Sequence, residues 1–312
     1  MTPSKALPRG IVASSMTPFD ADGRLDRRAI APHIDWLIGE GVTGLSPLGS
    51  SGEFFAMESA DRKAVVEAVV EANRGRVPIM AGTHHYSTAI TLDLSRHAER
   101  AGVDMLLMVQ PYYAGPTTSA VMDHYRRVAD AVAIPIVVYH NAGATGIDLG
   151  NDELCTLWQE GAIAGIKYAT YAPARLVELM QATEGRLPIY AGFDFLAFEA
   201  LCHGAYGWIS GIPSIVPRAA DRLYQTIARD SDLPSARAQW RLLAPLSRFI
   251  FETRVNPING AHWLGVMKAA LAMIGPSVGD PLPPSSKINA AQAETLAGLL
   301  RALGYTVRES GR

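Results

Sequence analysis

The sequence predicts an α/β fold, a (β/α)8 TIM barrel followed by a C-terminal helical extension. Eight short apolar runs recur along the chain, and a stretch with helical periodicity follows each of them. Several runs lack polar alternation, which is typical of parallel strands buried on both faces. Alternating strands and helices with short connections form a parallel sheet. Eight such units favour a closed barrel, and an open doubly wound sheet stays as the alternative.

The predicted strands are all short. They are 11–13, 44–48, 78–82, 105–109, 135–139, 163–167, 188–192 and 207–210. Proline opens three of them, at Pro78, Pro135 and Pro188, where a strand tolerates this residue. Between the strands, apolar residues recur at the spacing of amphipathic helices. Neither GxGxxG nor GxxxxGK[ST] occurs where a phosphate loop is expected, which weakens the nucleotide-binding form of the open-sheet alternative.

Beyond about residue 213 the sequence predicts helices only. They cover 215–229, 234–252, 260–274 and 289–303. The first of these would be the eighth helix of the barrel, and the other three would form the extension. We therefore expect the barrel to span residues 1–229 and the extension, packed on the barrel, to span residues 230–312.

The composition excludes several classes of protein. Hydrophobic residues make up 48% of the 312 residues and charged residues 19%, which is typical of a globular enzyme. A net charge of −2 gives no electrostatic basis for binding nucleic acid or an anionic membrane. No apolar run is long enough to span a bilayer, and residues 1–10 lack the apolar region of a signal peptide. Cys155 and Cys202 lie in predicted helices, which indicates buried thiols in a reducing compartment. We expect a cytoplasmic protein.

Catalytic groups of such a barrel lie at the carboxyl ends of its strands. Lys167 closes the sixth apolar run, so its amine is expected to point into the barrel mouth. Burial there favours the neutral amine, the form that attacks a carbonyl, whereas a lysine extending to solvent would explain the same position. The other residues nominated by this rule are Thr17, Ser50, Ser51, His84, His85, Tyr112, Tyr113, Tyr139, Gly192 and Asp194.

Three of these positions suggest specific chemistry. Tyr139 ends the neighbouring strand and could move protons for Lys167, although a core aromatic would look the same. The turn 49–53 offers consecutive amides and two hydroxyls, which suit a small carboxylate, but Gly-Ser turns are common. His84 and His85 could suggest a metal, yet a zinc site needs a third ligand, and neither HxH nor HExxH occurs. We therefore predict no metal.

Taken together, these residues resemble the dihydrodipicolinate synthase / N-acetylneuraminate lyase family, over roughly residues 10–303. The matching motifs are Thr17-Pro18-Phe19, Gly49-Ser50-Ser51-Gly52-Glu53, Pro111-Tyr112-Tyr113 with Pro116-Thr117, Tyr139, Gly165-Ile166-Lys167 with Thr170, and Asn256-Pro257-Ile258 with Lys268. Their joint order and spacing carry the resemblance more than any single motif does.

The resemblance implies the mechanism of a class I aldolase. Lys167 would form an imine with the keto carbon of pyruvate or another 2-oxo acid, so that no separate cofactor is needed. Tyr139 would be the acid/base beside the imine, and Ser50 would connect it to Tyr113 in a proton relay. In the family, the tyrosine matching Tyr113 reaches in from a neighbouring subunit, which implies a homo-oligomer, commonly a tetramer built as a dimer of dimers.

The resemblance also implies a set of residues that bind the 2-oxo acid. The backbone amides of Ser50 and Ser51 would hold its carboxylate. Gly192 and Ile209 would line the pocket, and we count Thr17 with them.

The motifs depart from the family on the side of the second substrate. The family's arginine, which grips the carboxylate of an aldehyde substrate, is replaced by Ala144, and its proline by Ala142. The Gly-Asp pair after the GIKxxT threonine is replaced by Tyr171-Ala172, and the loop 83–88 is bulkier than the family's. Loss of a bidentate carboxylate clamp weakens binding, so the resemblance implies an intact pyruvate half and a changed acceptor half.

Four hypotheses follow. The first is a lyase or aldolase that acts on a 2-oxo acid, with a 2-keto-3-deoxy sugar acid as a candidate substrate and with His84, His140 or Asn141 contacting its hydroxyls. The second is a dehydratase of the same family, or 4-hydroxy-tetrahydrodipicolinate synthase itself. The third is a binding or regulatory protein that has lost catalysis, against which the joint presence of the four catalytic residues argues. The fourth is a metal-dependent hydrolase, which the shortage of ligands disfavours.

Overall fold

The computed structural model describes residues 6–255 and 262–308, with the backbone alone described at 252–255. Within these ranges eight parallel strands form one sheet. They are β1 (Gly10–Ala13), β2 (Gly44–Leu45), β3 (Met80–Gly82), β4 (Met105–Val109), β5 (Ile136–His140), β6 (Gly165–Tyr168), β7 (Ile189–Ala191) and β8 (Gly207–Ser210). Each predicted strand overlaps one of them.

The sheet closes into a barrel. The strand order is β2-β1-β8-β7-β6-β5-β4-β3, and a parallel bridge between Leu45 and Ile79 joins the two outer strands. The predicted (β/α)8 barrel is therefore confirmed, and the open sheet is excluded.

The helices surround the barrel and continue beyond it. They are α1 (Arg27–Gly39), α2 (Ser59–Asn73), α3 (Thr88–Ala101), α4 (Thr118–Ala129), α5 (Ala142–Thr145), α6 (Asn151–Gln159), α7 (Pro173–Ala182), α8 (Ala197–Cys202), α9 (Ile212–Ile215), α10 (Pro217–Ala228), α11 (Leu233–Val255), α12 (Trp263–Ile274) and α13 (Ala290–Ala302). Helices α11 to α13 form the predicted C-terminal extension. The division at residue 229 falls between α10 and α11 and stays a prediction.

The register of β5 and β6 determines which side chains enter the barrel. Tyr139 lies opposite Lys167, and His140 lies opposite Tyr168. Successive side chains of a strand point to opposite faces. Tyr168 and His140 contact the segment 148–151 that leads into α6, so they face the helices. Tyr139 and Lys167 therefore face the barrel interior, at the carboxyl ends of their strands.

Two features concern the expected surroundings of the protein. Both cysteines are unpaired thiols, but Cys202 is exposed at the end of α8, so the expectation of a buried thiol was wrong there. In the described part of the chain, no helix has both the length and the apolar character needed to cross a bilayer.

Candidate active site

Lys167 and Tyr139 form the centre of the candidate site. Both side chains are 3% exposed, and the Lys167 Nζ lies 3.8 Å from the centroid of the Tyr139 ring. A cation over an aromatic face at this distance is electrostatically favourable. The paired strands hold the amine and the phenol side by side, so a carbonyl compound that reacts with Lys167 is placed next to Tyr139.

The hydroxyl of Tyr139 is oriented by Asn141. The Asn141 Nδ2 donates to the Tyr139 hydroxyl oxygen at 3.0 Å. The Asn141 backbone N–H in turn donates to the Gln110 Oε1 at 3.3 Å, and both residues are buried. Sequence reasoning placed Asn141 against a substrate hydroxyl, whereas the structure shows its amide engaged with the candidate acid/base.

The turn after β2 has a defined backbone conformation. Residues Ser50–Gly52 form one 3₁₀ turn, and Glu53 follows in the left-handed region with φ of 56°. The Thr17 hydroxyl donates to the Gly52 carbonyl at 2.7 Å and so fixes the turn to the end of β1. Thr17 thereby supports the turn, and its predicted contact with substrate stays a prediction.

A buried ion pair connects this turn to the C-terminal extension. The Lys268 Nζ on α12 lies 2.8 Å from the Glu53 Oε1, and neither side chain is more than 2% exposed. Lys268 also donates to the carbonyl oxygens of Thr17 and Asp280, and the Leu282 N–H donates to the Glu53 Oε2. Burial lowers the pKa of Lys268, an effect that the Glu53 carboxylate opposes.

Sequence reasoning did not predict this ion pair. It cited Lys268 only as part of the C-terminal motif, whose residues 256–258 lie outside the described residues. The signal was nevertheless present, because Lys268 is the single charged residue in the otherwise apolar helix α12, and a lysine in such a helix needs a buried partner.

Tyr171, one of the departures on the acceptor side, lies against the segment that carries two others, Ala142 and Ala144. Helix α5 carries Ala144 at the family's arginine position, and the Tyr171 ring packs on Gly143 beside it so closely that a Cβ there would lie 2.8 Å from the Tyr171 Cε2. Tyr171 also packs on Phe193, with 5.0 Å between ring centroids, and on Phe195, at 5.7 Å. A bulkier residue at position 143 would therefore displace this aromatic cluster.

A cavity of about 240 Å³ opens beside the candidate centre. Ser50 and Asn141 lie in its wall, which connects it to the turn and to Tyr139. The described lining residues, none of them Arg, Lys, Asp or Glu, are Ser50, Phe54, Phe55, Val109, Tyr112, Asn141, Ala144, Thr145, His262 and Trp263.

His140 is not part of this cavity. Its Nε2 lies 3.1 Å from the Leu149 carbonyl oxygen and 3.2 Å from the Asp148 Oδ1, on the helix side of β5. Burial lowers the pKa of His140 to about 4, although the Asp148 carboxylate opposes the shift. The predicted contact of His140 with a substrate hydroxyl does not agree with this placement.

His84 is enclosed by protein. Its ring packs edge-on against Phe54, with 3.9 Å between centroids, and its Nδ1 lies 3.2 Å from the Leu107 carbonyl oxygen. Burial lowers the pKa of His84 well below its usual value, and the nearby Arg62 guanidinium adds to the shift. The described contacts of the His84 ring are thus with protein atoms, and its predicted contact with a substrate hydroxyl stays a prediction.

The remaining predicted residues are divided between the barrel and the surface. Ile209 is fully buried in β8, and Gly192 lies so close to β6 that a Cβ would be 2.8 Å from the Ala169 nitrogen. Tyr113, in contrast, is 99% exposed, with φ of 82°. The single chain therefore does not bring Tyr113 to Lys167.

Asp194 is a buried carboxylate that organises the end of β8. It accepts from the Trp208 Nε1 and from the Gly211 and Ile212 backbone N–H groups, each at 3.1 Å. Burial raises its pKa to about 6, and these hydrogen bonds limit the rise. Within the described ranges, no three His, Cys, Asp or Glu side chains are grouped so that they could share a metal ion.

Comparison with known proteins identifies a family that matches nearly the whole chain. The model of the dihydrodipicolinate synthetase family matches residues 7–303. Among curated proteins, the chain is 31% identical to a 4-hydroxy-tetrahydrodipicolinate synthase of Pelobacter propionicus, over 95% of this chain and 99% of that protein. It is 34% identical to the Anaeromyxobacter sp. (strain K) protein of the same name, over 91% and 94%.

Solved structures show the same similarity. A putative dihydrodipicolinate synthetase from Pseudomonas aeruginosa superposes with a TM-score of 0.88 at 32% identity, covering 95% of this chain and 99% of that one. A prophage protein of the dihydrodipicolinic acid synthase family from E. coli K12, solved in complex with pyruvate, superposes with a TM-score of 0.88 at 30% identity, covering 96% and 100%.

Proposed function

The chain belongs to the dihydrodipicolinate synthetase family of pyruvate-dependent lyases, and we propose that Lys167 forms the Schiff base of this chemistry here. The observation that carries the proposal is the Lys167 amine 3.8 Å from the Tyr139 ring, with both groups buried at the barrel mouth. A lysine imine acts as an electron sink, so the reaction needs no metal or added cofactor.

The proposed cycle assigns a task to each residue. The Lys167 amine adds to the keto carbon of pyruvate or another 2-oxo acid, and water leaves to give the imine. The amides of Ser50 and Ser51 bind the carboxylate. Tyr139, oriented by Asn141, transfers the proton as the C3 carbanion forms or is quenched. A carbon–carbon bond to C3 is then made or broken, and water releases the product.

We also propose that the active protein is a cytoplasmic homo-oligomer, arranged as a dimer of dimers. Within the described part of its own chain, the Tyr113 side chain is 99% exposed and does not reach Lys167. A neighbouring copy would receive this tyrosine beside its own Ser50 and so complete the proton relay that the family resemblance implies.

A second candidate is 4-hydroxy-tetrahydrodipicolinate synthase, the name that the curated relatives carry. Its acceptor bears a carboxylate. The position from which the family's arginine would bind that carboxylate is Ala144, and the described wall of the cavity holds no Arg or Lys. We therefore favour a lyase with a different second substrate.

Borohydride reduction in the presence of pyruvate tests the proposal, with peptide mass mapping to locate the adduct. We expect the adduct on the peptide containing Lys167 and none on the peptide containing Lys268, which is equally buried but engaged by Glu53. Lys167→Ala should abolish trapping and retain the circular dichroism of the folded protein. Folded wild-type protein without an adduct would exclude the Schiff-base mechanism.

A further inference from the structure

The cavity beside Asn141 has an aromatic wall. Phe54 and Phe55 come from the turn after β2, Tyr112 from the loop after β4, and Trp263 from the start of α12. The Phe54 and Phe55 rings meet edge to face, with 5.6 Å between centroids. Aromatic edges and faces of this kind bind flat apolar groups by stacking and edge contacts.

Two donors in the wall already have partners in the chain. The Thr145 hydroxyl donates to the Asn141 carbonyl oxygen at 3.0 Å, and the Asn141 Nδ2 donates to the Tyr139 hydroxyl at 3.0 Å. A polyhydroxylated acceptor would have to compete with these bonds to use either donor. Ala144, within α5, offers only a methyl group to the cavity.

The size of the cavity fits one aromatic ring. Its volume is about 240 Å³, and a dry apolar cavity of about 150 Å³ accommodates benzene in another protein. The remaining volume leaves room for an aldehyde group, and Asn141, which donates to the Tyr139 hydroxyl, lies in the wall. Half of the Phe55 side chain is exposed, so this wall also faces the path by which a ligand enters.

We infer that the second reactant is an uncharged aromatic aldehyde, an inference that rests on the proposed function of Lys167. C3 of the enamine bonds to the aldehyde carbon, the carbonyl π bond breaks, and the aldehyde oxygen takes a proton. Water then hydrolyses the imine, which regenerates the lysine amine and releases a 4-aryl-4-hydroxy-2-oxobutanoate. The reverse reaction cleaves that acid into pyruvate and the aromatic aldehyde.

Competition among three aldehydes tests the inference on the purified full-length protein. Benzaldehyde, glyceraldehyde and succinic semialdehyde are each supplied with pyruvate, and mass spectrometry follows the 4-hydroxy-2-oxo acid products. We expect kcat/KM for benzaldehyde to exceed that for either of the other two by at least about tenfold. Borohydride trapping of pyruvate on Lys167 is measured in the same preparation.

A matched pair of variants locates the effect. Phe55→Ala should lower kcat/KM for benzaldehyde by about tenfold, whereas Leu242→Ala, on α11 and exposed to a similar extent (52% against 50%), should not change it. If pyruvate is trapped on Lys167 but glyceraldehyde or succinic semialdehyde is the preferred acceptor, the aromatic acceptor is overturned. The proposed function of Lys167 is then retained. Absence of trapping would overturn the proposed function and this inference with it.

Discussion

The two halves of the candidate site are built from different parts of the fold. Lys167 and Tyr139 project from adjacent strands, and their positions depend on the register of β5 and β6. The opposite wall comes from loops, from the short helix α5 and from the start of α12, with Phe55 and Ala144 as examples. A strand cannot shift by one residue without turning every side chain to the other face, whereas loops accept new side chains readily. Under the proposed function, the reaction is therefore built into the sheet, and the choice of acceptor lies in the loops.

The largest expected effect comes from changing the half of the site that β5 and β6 form. Tyr139→Phe removes the proposed acid/base and should lower kcat by about 10² to 10⁴. Because both reactants depend on Tyr139, the loss should be similar for every aldehyde, measured by steady-state kinetics. Tyr86→Phe, an exposed tyrosine outside the cavity, serves as the control. A loss confined to one aldehyde would place Tyr139 in acceptor recognition instead.

A second effect concerns the connection between the turn and the extension. Lys268→Met leaves the Glu53 carboxylate buried without its cation and should lower the free energy of unfolding by about 3–5 kcal/mol, as measured by urea denaturation. The double variant Lys268→Met/Glu53→Gln, which no longer holds a buried carboxylate, should recover much of that loss. The exposed pair Lys63–Asp93 gives the comparison, because Lys63→Met should cost less than about 1 kcal/mol. Equal costs for the single and the double variant would contradict this account.

The third prediction concerns His140, on the helix-facing side of β5, and the dependence of stability on pH. The pKa of His140 is about 4 in the folded protein against 6.5 when unfolded, so the unfolded chain binds more protons between these values. Stability from this residue is thus complete above pH 6.5 and is lost as the pH falls through 4, by about 3 kcal/mol in total. His140→Gln should flatten the dependence of unfolding free energy on pH in this window. The exposed residue His203 provides the control variant, and an unchanged slope in His140→Gln would contradict the prediction.

The smallest expected effect comes from changing the half of the site that the loops and α5 form. Ala144→Arg places a guanidinium at the cavity wall and should raise kcat/KM for succinic semialdehyde by about tenfold through a charge-assisted hydrogen bond. Trapping of pyruvate on Lys167 should persist, since the sheet is unchanged. Ala144→Leu separates charge from size. An equal gain in the leucine variant would show that the cavity shape, rather than the charge, governs the acceptor.

The sequence predicted the strands and the helices around them because burial determines where apolar residues recur. A continuous apolar run indicates a buried strand, and apolar residues at helical spacing indicate a helix with one buried face. The sequence also nominated Lys167, Tyr139 and the 49–53 turn, since strand ends meet at one end of a barrel. It could not determine which face of β5 each residue takes, because the continuous apolar run lacks the alternation that marks faces. His140 was consequently assigned to the substrate, although its ring contacts Leu149 and Asp148.

Contacts between distant segments were also beyond a reading of local patterns. The Asn141 amide on Tyr139 and the Glu53–Lys268 pair depend on side-chain directions that only the assembled barrel defines. The short helices α5 and α9, with four residues each, have too few turns to produce a periodic signal. A lone lysine in an apolar helix was the one readable sign of the ion pair.

The buried ion pair has a consequence for the order in which the protein is made. Glu53 appears early in synthesis, but the backbone N–H of Leu282 that binds it follows 229 residues later, and Lys268 is made shortly before that. A growing chain that has completed all eight strands does not yet contain either of these partners of Glu53. Both are supplied by the C-terminal extension, so the barrel alone cannot neutralise this carboxylate in the way the whole chain does.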